Sequence, residues 1–153
     1  MSETESIDYQ IVDLLARDGR MSYTDIGRAT GLSTSAAQQR VRRLEQRGFI
    51  RGYKAIVNPS AMGRTLTVFI SVHTQNGGAD DKLPSVLASL PDITSCFLVA
   101  GDASYVCMAE VSSMEDLDAL LTSIRRVGNV STSTTVALKT LFRGRPLSQV
   151  GAG

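Results

Sequence analysis

Hydroxyl, amide and guanidinium groups are concentrated between residues 33 and 47, and proteins use these groups to bind nucleic-acid phosphates and base edges. The candidates are Ser33, Thr34, Ser35, Gln38, Gln39, Arg40, Arg42, Arg43 and Arg47. The apolar residues Ala37, Val41 and Leu44 repeat at helical spacing, which predicts a helix with this polar face outward. We expect base contacts from Ser35, Gln38, Gln39 and Arg42, and phosphate contacts from Arg40, Arg43 and Arg47.

The distribution of charge favours a polyanionic partner for this part of the chain only. The whole chain carries a formal net charge of +1. Residues 20–54 hold eight basic and two acidic side chains, so their net charge is +6 and that of the remainder is −5. This asymmetry predicts a polyanionic partner, and together with the polar helix face it makes double-stranded DNA the expected one. The alternative is a three-helix bundle whose basic surface is merely solvated.

The elements that must position this face are three short helices in the first third of the chain. Residues Ile7, Ile11, Leu14 and Leu15 follow helical spacing, and Gly19 ends that segment. A capping box formed by Ser22 and Asp25 predicts a second helix over residues 23–30, and residues 31–33 form the turn before the third. Helix, short turn and helix predict a helix-turn-helix, winged-helix-like domain over residues 1–58. Within it, residues 49–58 are a β-prone strand or linker closed by Pro59.

The second half of the chain alternates strands with helices. Strands are predicted over residues 66–74, 93–100, 105–111 and 130–141, with a turn at Gly77-Gly78 after the first. Helices with apolar stripes lie between them, at residues 83–90 with Asp80 or Asp81 as cap, and at residues 117–124 after a capping box of Ser112 and Glu115. The order βαββαβ predicts an α+β fold in which a ferredoxin-like domain occupies residues 59–153.

One face of the predicted sheet carries no helix. The outward residues of the strands at 66–74 and 105–111 include many apolar side chains. Because an exposed apolar sheet face usually marks an interface, we expect a homodimer through this domain.

An enzymatic function is not predicted. His73 is the single histidine and stands in mid-strand, where a core or interface role is expected. Cys96 and Cys107 lie in apolar runs and are predicted to be buried core thiols. We expect no catalytic residue, no metal site and no cofactor. The alternative from another class is a small ferredoxin-like enzyme with an appended helical domain.

Because the N-terminus is acidic and polar and no long apolar run occurs, we expect no signal peptide and no membrane span. We expect a cytoplasmic, nucleoid-associated protein.

A polar cluster stands apart from the basic segment. Residues 101–104 and the Thr-rich residues 131–135 offer hydroxyls, a carboxylate and free backbone amides. These groups make the cluster a candidate binding site. The other interpretation is an ordinary turn beside an edge strand of β-branched residues.

The residues from Ile7 to Pro59 resemble the N-terminal half of the leucine-responsive and asparagine-responsive (Lrp/AsnC) regulator family. The matching residues are Asp8 and Ile11, Gly31-Leu32-Ser33, the run Arg40-Val41-x-Arg43-Leu44-Glu45-x-x-Gly48-x-Ile50, Gly52-Tyr53 and Asn58-Pro59. The second half resembles the family's ligand-binding domain in element order and in the hairpin Ala100-Gly101-Asp102-x-x-Tyr105. Two departures are Thr34, where the family often has proline, and Ser104, where a second aspartate is common.

The resemblance implies a sequence-specific transcriptional regulator of amino-acid metabolism genes that forms dimers and larger rings, often octamers. It implies an amino-acid effector bound between dimers near the hairpin. The effector candidates are Leu98, Gly101, Asp102, Ser104, Tyr105, Thr132 and Thr134. The alternative within the same fold is a nucleoid-organising protein that ignores small molecules.

Overall fold

The computed structural model describes residues 3–74, 82–127 and 130–146. The described residues form two compact units. One contains the chain up to Ile56 together with the residues from Phe142, and the other spans Val57–Leu141. None of the helices in these ranges is long and apolar enough to cross a membrane.

The first unit contains the three predicted helices, α1 (Glu3–Arg17), α2 (Tyr23–Thr30) and α3 (Thr34–Gln46). Their inward faces form one apolar core of Ile11, Leu15, Ile26, Ala37, Val41 and Leu44. The Oγ atom of Ser22 accepts a hydrogen bond from the Asp25 amide, as the capping box predicts. Gly31 ends α2 in the left-handed conformation (φ +70°), which glycine adopts without a steric penalty.

The segment after α3 is not a strand, so the prediction of a linker strand is corrected. Residues 51–58 are all exposed and have no assigned strand, although Ile56 and Val57 are β-prone. A strand requires a hydrogen-bonded neighbour. A short 3₁₀ helix, Pro59–Met62, follows, with Asn58 as its cap.

The second unit is a four-stranded sheet with two helices, in the predicted βαββαβ order. The elements are β1 (Leu66–Thr74), α4 (Leu83–Ser89), β2 (Ile93–Leu98), β3 (Tyr105–Val111), α5 (Met114–Arg125) and β4 (Val130–Val136). The strand order is β2-β3-β1-β4, and every neighbouring pair is antiparallel. The core lies between the sheet and both helices and includes Val68, Ile70, Cys107, Leu120 and Ile124.

Two strand ends and one cap differ from the prediction. Strand β2 stops at Leu98, two residues early, and β4 stops at Val136 instead of residue 141. Strand β4 ends because its partner β1 begins at Leu66. The last hydrogen bond between them runs from the Ala137 amide to the Thr67 carbonyl. The cap of α5 is Ser113, whose Oγ accepts from the Asp116 amide, and not Ser112.

The start of α4 has Lys82 at the capping position, without a capping side-chain hydrogen bond. The predicted caps Asp80 and Asp81 and the predicted turn Gly77-Gly78 lie outside the described residues.

The sheet face opposite the core is mixed and not uniformly apolar. Phe69, Phe97, Val106 and Met108 share it with polar side chains such as Ser71. On the core side of the sheet, Cys96 of the edge strand β2 is exposed, which corrects the prediction that both cysteines are buried.

Candidate functional site

The N-termini of α2 and α3 lie side by side. The Oγ1 atoms of Thr24 and Thr34 are 3.3 Å apart, although ten residues separate them in sequence. Ser33 caps α3 by accepting a hydrogen bond from the Ala36 amide at 3.2 Å. Helix N-termini carry partial positive charge and attract phosphate, so this pair of termini suits a phosphate contact. Sequence reasoning missed Thr24, whose signal is its place just inside the α2 cap.

The outward face of α3 carries most of the predicted contact residues. Ser35, Gln39, Arg42 and Arg43 are exposed, while Gln38 is half-buried. The opposite side of the same helix, with Ala37, Val41 and Leu44, is completely covered. The buried stripe therefore fixes which polar side chains face outward.

Arg40 differs from the other arginines of α3. Its Nη1 atom donates to Oδ1 of Asp8 at 2.7 Å, and the two side chains are only 21% and 16% exposed. A guanidinium committed to a carboxylate within the fold is poorly placed to neutralise a phosphate. Arg40 therefore connects α3 to α1, and a phosphate contact from this residue stays a prediction.

Arg47 and Tyr53 flank the end of α3. The Arg47 guanidinium lies 5.0 Å from the centre of the Phe49 ring, a cation–π distance that leaves the charge exposed. The Tyr53 hydroxyl donates to Oε1 of Glu45 at 2.9 Å. Burial, together with the hydrogen bond to the Glu45 carboxylate and the negative charge of that group, raises the pKa of Tyr53 to about 12. The phenol thus stays a neutral donor that fixes residue 53 beside α3.

Gly27, in the middle of α2, was not singled out from the sequence. A Cβ at this position would lie 2.6 Å from the Leu32 carbonyl oxygen, inside the turn that leads to α3. The backbone of the turn therefore approaches α2 as closely as a glycine permits. This contact sets the geometry between the two helices of the helix-turn-helix.

The second candidate site is the hairpin between β2 and β3. Gly101 and Asp102 are exposed at its tip, and no atom within 4 Å would meet a Cβ at Gly101. The Nδ1 atom of His73 lies 3.0 Å from the Asp102 carbonyl oxygen, so the imidazole supports the hairpin from β1. Sequence reasoning assigned His73 a core or interface role and missed this contact.

Ser104 is committed to the fold at the base of this hairpin. Its Oγ lies 2.8 Å from Oγ1 of Thr74 and accepts from the Thr74 amide at 3.3 Å. Its own amide donates to the Val72 carbonyl at 2.9 Å. Ser104 thus ties the hairpin to the end of β1.

An open groove of about 580 Å³ runs along the core side of β2 towards α4. Leu98 and Tyr105 both line it, and they are directly opposite each other in the β2–β3 pairing. Leu98 is 75% exposed, whereas Tyr105 is only 5% exposed. The pair could therefore accommodate an apolar side chain beside the hairpin.

Thr132 and Thr134 do not join this group. They lie on β4, opposite Val72 and Ile70 of β1, and β4 is at the other edge of the sheet from β2. Two buried strands separate them from Leu98 within one chain. The predicted polar cluster is thus divided between two edges of the sheet.

Within the described ranges, no group of three or more His, Cys, Asp or Glu side chains is arranged to hold a metal ion.

Two family models match the chain. An AsnC-type helix-turn-helix domain matches residues 6–45, and an Lrp/AsnC ligand binding domain matches residues 67–147. These matches cover the residues of both candidate sites, apart from Arg47, Phe49 and Tyr53 at the end of α3.

Characterised relatives match along nearly the full length. The HTH-type transcriptional regulator LrpA of Mycobacterium tuberculosis is 40% identical over 141 residues, which are 92% of this chain and 94% of the relative. The leucine-responsive regulatory protein of Escherichia coli K12 is 34% identical and covers 90% of this chain and 86% of its own. The feast or famine regulatory protein of M. tuberculosis, solved in complex with L-methionine, superposes with a TM-score of 0.89 at 39% identity, over 95% of this chain and 99% of that one.

Proposed function

The chain belongs to the Lrp/AsnC family of transcriptional regulators, and on this premise we propose that α3 recognises specific DNA sequences and that the β2–β3 hairpin binds an amino-acid effector. A helix-turn-helix domain and a ligand-binding domain are both present. The target genes we propose are those of amino-acid metabolism.

The observation that carries the DNA-binding assignment is the exposed face of α3. Gln39 and Arg42 project from a helix whose other side is buried, so they are available to base edges in the major groove. Arg43 and Arg47 are exposed and suit phosphate contacts, as do the hydroxyls of Thr24 and Thr34. Ser33, Ser35 and Gln38 complete the proposed interface.

Two classes of variant test this interface. Gln39→Ala and Arg42→Ala should each weaken binding of a selected operator by about 1–3 kcal/mol, with a smaller loss on random DNA. Arg43→Ala should weaken binding to both DNAs alike and reduce the salt slope by about 1. Arg126→Ala, an exposed arginine of the second unit, is the matched control. If Gln39→Ala and Arg42→Ala bind both DNAs as the unchanged chain does, α3 is not the recognition helix.

The amino-acid assignment rests on the hairpin and on the M. tuberculosis protein complexed with L-methionine. The exposed Asp102 carboxylate can accept charge-assisted bonds from an ammonium group. Backbone amides around Gly101 can donate to a carboxylate, because the space above this glycine is open. Leu98 and Tyr105 then face the effector side chain across the groove. Ser104 acts as a positioning residue for the hairpin.

Titration calorimetry with the twenty amino acids, beginning with L-methionine, tests the effector site. Asp102→Ala should reduce affinity at least about tenfold, since a charged hydrogen bond contributes roughly 1.5–3 kcal/mol. Asp118→Ala, an exposed aspartate on α5, should leave affinity unchanged. Equal affinities for Asp102→Ala and the unchanged chain would remove the hairpin from the site. Absence of binding by any amino acid would instead favour a nucleoid-organising protein.

The mixed open sheet face supports a homodimer, and we propose that dimers assemble further, as far as an octamer. Phe69 and Phe97 are both exposed on this face, and two exposed aromatic side chains on one sheet face usually mark an interface. Light scattering at micromolar concentration should give at least a dimer, and a monomer would contradict this part of the proposal.

A further inference from the structure

Cys96 and Cys107 form a thiol pair that no part of the proposed function uses. Their Sγ atoms are 3.2 Å apart, with Cys107 donating to Cys96, and both thiols are free. The residues are directly opposite each other in the β2–β3 pairing.

The pairing geometry is compatible with a covalent bond between the two sulfurs. The Val99 amide donates to the Ser104 carbonyl, which makes Val99–Ser104 a hydrogen-bonded pair. Because hydrogen-bonded and non-hydrogen-bonded pairs alternate in an antiparallel ladder, Cys96–Cys107 is a non-hydrogen-bonded pair. Such pairs have a Cα separation of about 4.5 Å, which lies within the range that disulfides span.

The two thiols differ in access to solvent. Cys96 is exposed and borders the open groove along β2, so a small oxidant can reach it. Cys107 is fully buried beneath the helices, and burial raises the pKa of its thiol to about 12. Cys107 therefore remains a protonated thiol until its neighbour reacts.

We propose that Cys96 and Cys107 are a dithiol that hydroperoxides oxidise, in which Cys96 reacts first and Cys107 closes an intrachain disulfide. The Cys96 thiol loses its proton as its sulfur attacks one peroxide oxygen, the O–O bond breaks, and a sulfenic acid forms. The departing oxygen takes up a proton and leaves as an alcohol, or as water from hydrogen peroxide. The Cys107 sulfur then attacks the Cys96 sulfur. The S–S bond forms, the S–O bond breaks, and the hydroxyl leaves with the Cys107 proton as water.

The proximity of Cys107 offsets its weak acidity. Two reactants held at contact distance react as if one were present at very high concentration. The sulfenic acid on Cys96 should thus be short-lived in the unchanged chain. The two thiols supply the two electrons that reduce one peroxide.

The test is hydrogen peroxide treatment of the purified full-length chain without any amino acid, followed by alkylation and intact-mass analysis. The expected product is a single chain lighter by two hydrogen atoms, in which neither thiol is alkylated, and which a dithiol reductant restores. Because neither DNA nor effector is present, the result is independent of the proposed function.

Two variants separate the roles of the thiols. Cys107→Ala should accumulate the Cys96 sulfenic acid, trapped by dimedone at a yield at least about tenfold above the unchanged chain. Cys96→Ser should leave Cys107 reduced at the same peroxide dose. Recovery of two alkylated thiols from the unchanged chain, a disulfide between two chains, or a stable sulfinic acid on Cys96 would each overturn the proposal.

Discussion

Two arginines one turn apart on α3 have different surroundings. Arg40 is largely covered and donates to Asp8 of α1, thirty-two residues earlier, whereas Arg43 is exposed. A covered ion pair connects two elements of the fold. An exposed positive charge can attract DNA phosphates, over a distance that shortens as the salt concentration rises. The spacing of the arginines does not distinguish them, because the difference depends on a residue of another helix.

The first prediction concerns this ion pair. Arg40→Met should lower the free energy of unfolding by about 1–3 kcal/mol, because the half-buried Asp8 carboxylate loses a charged partner. Adding Asp8→Asn should restore part of the loss, which a double-mutant cycle by urea denaturation measures. The salt slope of DNA binding should be unchanged in a folded Arg40→Met chain. Arg43→Met is the matched control. It should reduce the salt slope of DNA binding and leave the free energy of unfolding nearly unchanged. A reduced salt slope for Arg40→Met would return Arg40 to the phosphate contacts.

The elements of the first unit depend on one close backbone approach. Gly27 lies where the turn after α2 returns towards the helix, with the Leu32 carbonyl 2.6 Å from a Cβ position. Alanine would favour the helix by about 0.5–1 kcal/mol, but forcing the turn apart costs about 1–3 kcal/mol. The steric effect is therefore larger.

We accordingly predict that Gly27→Ala lowers both stability and operator affinity, since displacement of the turn reorients α3. Gly19→Ala is a suitable control, because its Cβ would meet Tyr53 Cδ1 at 3.5 Å and the Leu15 carbonyl oxygen at 3.8 Å, both ordinary contact distances. Thermal unfolding and DNA titration of both variants provide the measurement. Gly27→Ala with unchanged melting temperature and affinity would show that the turn adjusts without effect on α3.

The start of α5 gives a prediction for the second unit. Ser113, with φ −153° and ψ 170°, supplies the oxygen that caps the Asp116 amide. Ser113→Ala should destabilise the chain by about 1 kcal/mol, a typical cost for a lost cap. Ser112→Ala should have little effect, because the Ser112 carbonyl that accepts from Thr65 belongs to the backbone. Chemical denaturation of the two variants distinguishes the caps, and a larger loss for Ser112→Ala would contradict the assignment.

Across the whole molecule, helices and strands bounded by capping or turn residues were predictable from the sequence. The capping box and Gly31 define α2, and hairpin residues precede β3. Strand β4 was predicted too long because the apolar residues Leu138 and Leu141 continue its pattern, whereas its length depends on where β1 begins.

The candidate effector cluster was only partly predictable for a related reason. Hydroxyls and a carboxylate identify polar segments, but strand order decides which of them meet. The order β2-β3-β1-β4 places two strands, β3 and β1, between Thr132 and Leu98. The partners of Ser104 and Arg40 likewise come from distant parts of the sequence.

We propose that this one chain couples recognition of a DNA sequence to the binding of an amino acid. The most direct test is a fluorescence anisotropy titration of a genome-selected DNA fragment and an unrelated fragment at fixed salt, with and without the amino acid that calorimetry identifies. We predict tighter binding of the selected fragment, a preference that Arg42→Ala diminishes, and a several-fold change in its affinity when the amino acid is added. Equal affinity for both fragments, unaffected by any amino acid, would contradict the account.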